Sequence, residues 1–254
     1  MPKSRPGTIR VGIGGWTYAP WRGTFFPDKL PHTRELEHAA TRLTALEINA
    51  TYYGRQKPET FAKWAAAVPD GFRFAVKASR YSTARKKLAD GAESVAMFLD
   101  QGLVHLGDRL GPILWQFPAT KAYDHDDLAR FLAMLPREIA DRPAHHVIEA
   151  RHPSFTDAGF VDLMRDHNIA IAHVDRDDAP PIDAITADFS YARLERATTA
   201  EPTGYPEADL DSWATRAAET AKAGQDAYVF FIAGDKVRNP QAAEALITRL
   251  DAVS

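Results

Sequence analysis

Short apolar, β-branched and aromatic runs recur along this chain, and the stretches between them carry apolar residues at helical spacing. The runs are Arg10–Gly15, Ala45–Thr51, Phe72–Ala78, Pro112–Phe117, His146–Arg151, Ile169–Asp175, Phe189–Glu195 and Ala227–Ala233. Between them, Leu36/Ala39/Ala40/Leu43, Phe61/Trp64/Ala65/Val68, Ala92/Val95/Ala96/Leu99, Leu128/Phe131/Leu132/Leu135, Leu210/Trp213/Ala214/Ala217 and Ala243/Leu246/Ile247/Leu250 each form one apolar stripe, with a shorter one at Phe160/Leu163/Met164. Strands alternating with one-sided helices imply parallel βαβ units. The sixth interval breaks the pattern: Asp177-Asp178-Ala179-Pro180-Pro181 cannot continue a helix, so that helix is expected to be short or missing. Eight such units in 254 residues predict the α/β class and a single TIM-like (β/α)8 barrel. The barrel is expected over 9–254, after a disordered or extended tail at 1–8. A Rossmann-like sheet is the rival, but it needs G-x-G-x-x-G after the first strand, and Gly12-Ile13-Gly14-Gly15-Trp16 lacks the third glycine.

Composition narrows the chemistry. The chain has no Cys, which removes disulfides, thiolate metal sites and a Cys nucleophile. A net charge of -3 argues against an extended nucleic-acid surface. With no apolar region behind Met1-Pro2-Lys3-Ser4-Arg5-Pro6-Gly7 and no run of 18 apolar residues, a cytoplasmic protein without a membrane partner is expected.

In such a barrel, functional groups project from the C-terminal strand ends, and residues two apart share a face. Glu47, Asn49 and Thr51; Lys77 and Ser79; Glu149 and Arg151; His173 and Asp175; and Tyr191, Arg193 and Glu195 recur there at that spacing. They are expected to point inward, either as a salt-bridged layer or as a pocket for a polar ligand. Glu47 and Glu149 are the acid/base candidates, and Lys77, which joins the catalytic set, would hold a substrate anion together with Arg151 and Arg193. His173 and Asp175 complete the catalytic set. Together with Glu47 and Glu149 they could instead ligate a divalent metal, although three cations in the layer would repel one. No cofactor and no metal site is therefore predicted, with a divalent metal kept as the lesser alternative.

Around the mouth, Trp16, Tyr18, Trp21, Phe25 and Phe26 could plug the barrel or form a stacking platform. One of Tyr52 and Tyr53 should reach the pocket, since neighbours on an extended chain point opposite ways. Arg80 is near enough to serve it, whereas Arg85, Lys86 and Lys87 read as a solvated run. After the last strand, Lys236, Arg238 and Asn239 could form an anion site at a helix start, or an ordinary cap with Asn239 as N-cap. His145-His146 opens the fifth strand at the opposite face and reads as structural or exposed. No Walker A, H-E-x-x-H, EF-hand, G-x-S-x-G or zinc spacing is present.

The ordered motifs Gly12-Ile13-Gly14-Gly15-Trp16-Thr17-Tyr18, Glu47-Ile48-Asn49-Ala50-Thr51-Tyr52-Tyr53, Phe72-Arg73-Phe74-Ala75-Val76-Lys77-Ala78 with Arg80-Tyr81, Leu110 to Pro118, Glu149-Ala150-Arg151-His152-Pro153 and Tyr191-Ala192-Arg193-Leu194 resemble the domain-of-unknown-function 72 family, also called YecE-like. The resemblance runs from about Ile9 to the last helix. It implies a TIM-like barrel and a shared set comprising Trp16, Glu47, Asn49, Tyr53, Lys77, Arg80, Gln116, Glu149, Arg151, His152 and Arg193, and it supplies no activity. The chain departs from the family pattern at Ala84, where a His is usual, at Arg193-Leu194-Glu195-Arg196, where Arg-x-His-Gly is common, and at Ile232-Ala233-Gly234-Asp235, where an Asn-rich ending is usual.

The expected function is carboxylate acid/base chemistry on a small, anionic substrate, a phosphorylated compound or sugar acid, with isomerase, lyase and hydrolase all open. Trp16, Asn49, Tyr53, Arg80, Gln116, Arg151, His152 and Arg193 would bind it. Two other readings stand beside this one: a non-catalytic binder of a phosphorylated metabolite or nucleic-acid end, and a divalent-metal-dependent isomerase or hydrolase. The oligomeric state is left open.

Overall fold

Eight parallel strands wind in chain order around one axis in the computed structural model, which describes residues 5–253. They are β1 (Ile9–Gly14), β2 (Ala45–Ile48), β3 (Arg73–Lys77), β4 (Leu110–Gln116), β5 (His146–Glu149), β6 (in two pieces, Ala170–Ile171 and His173–Val174), β7 (Phe189–Leu194) and β8 (Asp226–Phe231). β8 pairs back to β1, with Ile9 opposite Ala227. The two pieces of β6 close the ring but for the step at Ala172: the first pairs with β5 and the second with β7. The expected TIM-like barrel is therefore the observed fold.

Helices α1 (Glu35–Arg42), α2 (Pro58–Ala66), α3 (Ala92–Leu99), α4 (His125–Leu132), α5 (Ala158–Asp166), α6 (Glu207–Lys222) and α7 (Asn239–Val253) follow every strand but the sixth. Their stripes face the wall; α4 buries Leu128, Phe131 and Leu132. Asp124 caps α4 by accepting from Asp127 N, and Asp157 caps α5 by accepting from Gly159 N. None of the helices among the described residues is long and apolar enough to cross a membrane.

The larger apolar core lies between helices and wall, and a smaller one fills the barrel. Inside, the fill is lopsided: β7 and β8 supply Phe189, Tyr191, Tyr228 and Phe230, while β2, β3 and β6 supply Ala45, Ala75, Ala170 and Ala172. Large rings facing small residues keep the interior packed. Beyond Arg10, which lies over the Tyr228 ring, β1 gives glycines to that face, and Gly12 has no choice, because a Cβ there would sit 2.0 Å from Ala45 O. The glycines that fail the dinucleotide pattern thus make room for rings.

As the two prolines require, residues 175–188 cross from β6 to β7 without a helix. A cavity of about 440 Å³ opens on the outer wall in its place, lined by His173, Trp213 and Arg216 among others. Arg216 is ion-paired to Asp183 across it. Of the tail expected at 1–8, residues 1–4 lie outside the described residues. Gly7 N donates to Ala221 O, and Thr8 N donates to Asp226 Oδ1.

At the N-terminal end of the barrel His146 is buried as a neutral ring. Trp115 Nε1 donates to its Nδ1 at 3.1 Å, and its Nε2 donates to Pro136 O at 2.8 Å. Burial, outweighing the bond to Pro136, lowers its pKa to about 4.

Candidate functional site

Alternation along β2, β3, β4, β5 and β7 brings Glu47, Lys77, Gln116, Glu149 and Arg193 to one layer above the rings of the barrel. Arg193, 2% exposed, is the hub. Its Nε donates to Glu47 Oε2 at 3.0 Å and its Nη2 to Glu47 Oε1 at 3.2 Å, while Nη1 donates to Glu149 Oε2 at 2.5 Å and Glu195 Oε1 at 2.9 Å. Tyr191 Oη donates to Glu47 Oε2 at 2.8 Å. Gln116 Nε2 and Arg151 Nε donate to Glu149 Oε1 at 2.7 and 2.6 Å. Each of the two fully buried carboxylates thus accepts three hydrogen bonds.

The electrostatics follow from these contacts. Burial alone would raise the Glu149 carboxyl, but Arg193 and Arg151 hold it down at about 2, so it is an anion throughout the physiological range. Burial works against the Arg193 charge, and Glu149 and Glu47 more than offset it, keeping the guanidinium firmly protonated. Tyr191 is pushed well up, by burial first and by Glu47 next. In this ion-paired layer one fork of donors on β7 joins carboxylates of β2 and β5, which the ring sets three strands apart.

Lys77 stands apart. It is 8% exposed, and its Nζ lies 4.2 Å from the centre of the Tyr52 ring. Its backbone carbonyl accepts from Thr51 Oγ1 at 2.7 Å, which ties the turn after β2 to the end of β3. Burial first, and then the Arg193 charge, lower its pKa. Beside the layer, half-buried Arg151 and Arg176 line a cavity of about 90 Å³ together with Glu149, Val174 and Asp178. Arg176 is bidentate to Asp178, at 2.8 and 2.5 Å, and 3.4 Å from Glu195 Oε2.

Several expected members lie elsewhere. His173 and Asp175 point away from the interior, because Val174 pairs with inward-facing Arg193 and His173 pairs with Ala192. His173 packs edge-on against Trp213 on the outer wall, and Asp175 accepts from Tyr205 Oη at 2.9 Å and from Glu195 N. With no helix over β6, its outward positions need not be apolar, which is why polarity misassigns the face. The four residues considered as metal ligands are consequently not brought together. Among the described residues no group of three or more His, Asp or Glu is placed to hold a metal ion.

At the rim, Tyr53 is 68% exposed and Tyr52 takes the place beside Lys77. Trp16 packs on Trp64 and Phe74 rather than over the mouth. Arg80 is exposed and lies over the Tyr81 ring. His152 Nδ1 accepts from Ser154 N and so caps the turn Pro153–Thr156. Asn49 remains half-buried at the end of β2, its Nδ2 3.4 Å from Glu47 O. Arg85, expected in a solvated run, instead ties its loop by donating to Tyr81 O and Ser94 Oγ.

Nor do Lys236, Arg238 and Asn239 converge on a common point. Lys236 Nζ lies over the Tyr18 and Trp21 rings, Arg238 donates to Pro202 O, and Asn239 is a fully buried first residue of α7 rather than its N-cap. The site residues that the sequence reading passed over are Arg176 and Asp178. Counting in twos from Val174, had its inward direction been recognised, leads directly to Arg176.

Comparison with known proteins agrees with the barrel fold. The family profile described as "Protein of unknown function DUF72" matches residues 10–254. The Escherichia coli K12 protein named "UPF0759 protein YecE" is 30% identical over 148 residues, 58% of this chain and 50% of that protein. The chain spans about half the length of the curated relatives it matches. Among solved structures, a DUF72 family protein of Thermotoga maritima MSB8 superposes with a TM-score of 0.75 at 22% identity, covering 97% of this chain and 100% of that one. Another from Enterococcus faecalis V583 gives 0.74 at 18% identity, covering 97% and 95%. These two likenesses show a shared fold.

Proposed function

This chain belongs to the DUF72 family, described as being of unknown function, and from that premise we propose that it is an enzyme acting on a small anionic substrate at the C-terminal mouth of the barrel. The observation that carries the reading is the distribution of charge there. Glu47, Glu149 and Glu195 are taken up by Arg193 and Arg151, while Lys77 has no ion pair among the described residues. Arg151 and Arg176 are half-buried beside a cavity of about 90 Å³ that Glu149 and Asp178 also line, and a phosphate or carboxylate group would enter by taking the place of the exposed Asp178 on Arg176. A phosphorylated compound or a sugar acid is the substrate class.

In this reading the proton-transfer group is Lys77 rather than a carboxylate. Glu149, held at about 2, is too weak a base and never an acid near neutral pH. Its part, with Glu47, is to fix Arg193 and Arg151 so that the mouth keeps its shape when an anion arrives.

The test is a thermal-shift screen with inorganic phosphate, sugar phosphates and sugar acids, repeated on Arg151→Gln. A ligand at about 100 times its Kd adds about 2.7 kcal/mol, a rise of roughly 5–11 °C at about 2–4 °C per kcal/mol for this size. The shift should be lost in the variant. No shift with any of these compounds would remove the anion site, and a shift without turnover would favour the non-catalytic binder.

A further inference from the structure

We propose that Lys77 is a carbonyl-capturing nucleophile, whose amine forms an imine with an aldehyde or ketone on the anion held by Arg151 and Arg176. Resting on the anion-binding reading above, this adds a covalent step and narrows the substrate class to 2-oxo acids and phosphorylated aldehydes or ketones.

The contrast among buried cations is the first support. Four basic side chains are buried among the described residues: Arg10, Lys77, Lys121 and Arg193. Arg10 pairs with Asp226 at 3.0 Å, Lys121 with Asp127 at 2.6 Å, and Arg193 with three glutamates. Lys77 makes no hydrogen bond or ion pair through its amine among the described residues, and the nearby carboxylates already belong to Arg193 and Arg151. No short contact makes it a countercharge of the layer, and Glu47 and Glu149 act on it only at longer range, raising its pKa against burial. A buried ammonium without a carboxylate is costly, and a neutral amine is the form that relieves the cost. The Arg193 charge pushes the same way.

Placement is the second support. Lys77 is the last residue of β3 on its inward face, so it meets whatever enters the C-terminal mouth, where barrel enzymes carry their reactive groups. A lysine on a rigid strand, its amine without a hydrogen bond or ion pair among the described residues, resting on the Tyr52 ring and close enough to Arg151 to feel its charge, has the parts an imine-forming site requires.

The step balances without any further reagent. The amine lone pair attacks the carbonyl carbon, the C–N bond forms, and the C=O π pair moves to oxygen. Both amine hydrogens end on that oxygen, which leaves as water, and a C=N bond remains. Protonated by solvent, the imine withdraws electrons from the adjacent C–H or C–C bond. Of the three reaction types open from sequence, this chemistry serves an isomerase or a lyase and not a hydrolase.

The full chain is incubated separately with pyruvate and with dihydroxyacetone phosphate in the presence of cyanoborohydride, which reduces an imine to a stable secondary amine. Intact mass and peptide mapping then locate the adduct. We expect one adduct per chain, on Lys77, suppressed by excess inorganic phosphate and absent from Lys77→Arg, whose retained fold is checked by circular dichroism. Lys236, which rests on Tyr18 and Trp21, is the internal control and should stay unmodified. Thermal shifts that depend on Arg151, with no Lys77 adduct from either probe, refute the imine and leave the anion site standing. Adducts confined to other lysines also refute it. Neither shifts nor adducts would sink both readings together.

Discussion

His146 offers a stability measurement whose size and sign both follow from the structure. Its Nδ1 accepts from Trp115 and its Nε2 donates to Pro136 O, so the buried ring is a fixed neutral tautomer. Protonation would set an Nδ1–H against the Trp115 N–H and bury a charge. The pKa falls from 6.5 to about 4, a gap worth about 3 kcal/mol at about 1.36 kcal/mol per unit. Because the folded pKa is depressed, the unfolded chain binds the proton more readily. The contribution is complete above pH 6.5 and is lost as pH falls toward about 4. By pH 4.5 about 2.5 kcal/mol of it should be gone. The perturbation is His146→Gln, whose amide can still accept from Trp115 and donate to Pro136 O while carrying no titrating ring. Urea unfolding of both proteins between pH 7.5 and 4.5 gives two stability curves, and every other titrating group cancels in their difference. The wild type should lead at pH 7.5 and lose that lead by about 2.5 kcal/mol on acidification. Curves parallel within about 0.5 kcal/mol would refute a neutral buried imidazole at this position.

Two further predictions concern the mouth. Arg193→Met leaves Glu47 and Glu149 buried without their main partner and should cost about 3–5 kcal/mol in urea unfolding at neutral pH; Arg193→Lys should rescue little, since a point charge cannot span both carboxylates, and a loss below about 1 kcal/mol in the Met variant would contradict the hub. Asp175 has its pKa raised from 3.8 to about 6, by burial first, so its folded state favours the proton; the contribution is full below pH 3.8 and is lost as pH rises through about 6. Asp175→Asn should therefore gain on the wild type by about 2.4 kcal/mol between pH 4 and pH 7, and a difference that stays flat or falls across that range would show the carboxylate is not strained by burial.

The strands and helices were legible because their signals are local. A period of two marks Glu47, Lys77, Glu149 and Arg193 as sharing inward faces with alanines and rings, and Pro180-Pro181 removes a helix wherever it occurs. β6 was read the wrong way round for an equally physical reason: polarity reports burial only where something covers the wall, and nothing helical covers β6. Tyr52 and Tyr53 could not be separated by spacing, since the turn Ala50–Tyr53 replaces the extended chain that alternation assumes.

The sequence by itself determined the barrel, its missing helix and the band of charge at the strand ends, all of which follow from spacing along the chain. Only the tertiary structure decided which charge meets which. Arg193 reaches Glu47 across 146 positions of sequence and Glu149 across 44, and that reach depends on closure of the ring, which no local pattern encodes. The same closure gives the carboxylates to Arg193 and Arg151 and leaves Lys77 on the Tyr52 ring, with no ion pair among the described residues. Pairing inside a closed sheet is a property of the ring, whereas facing inward is a property of each strand.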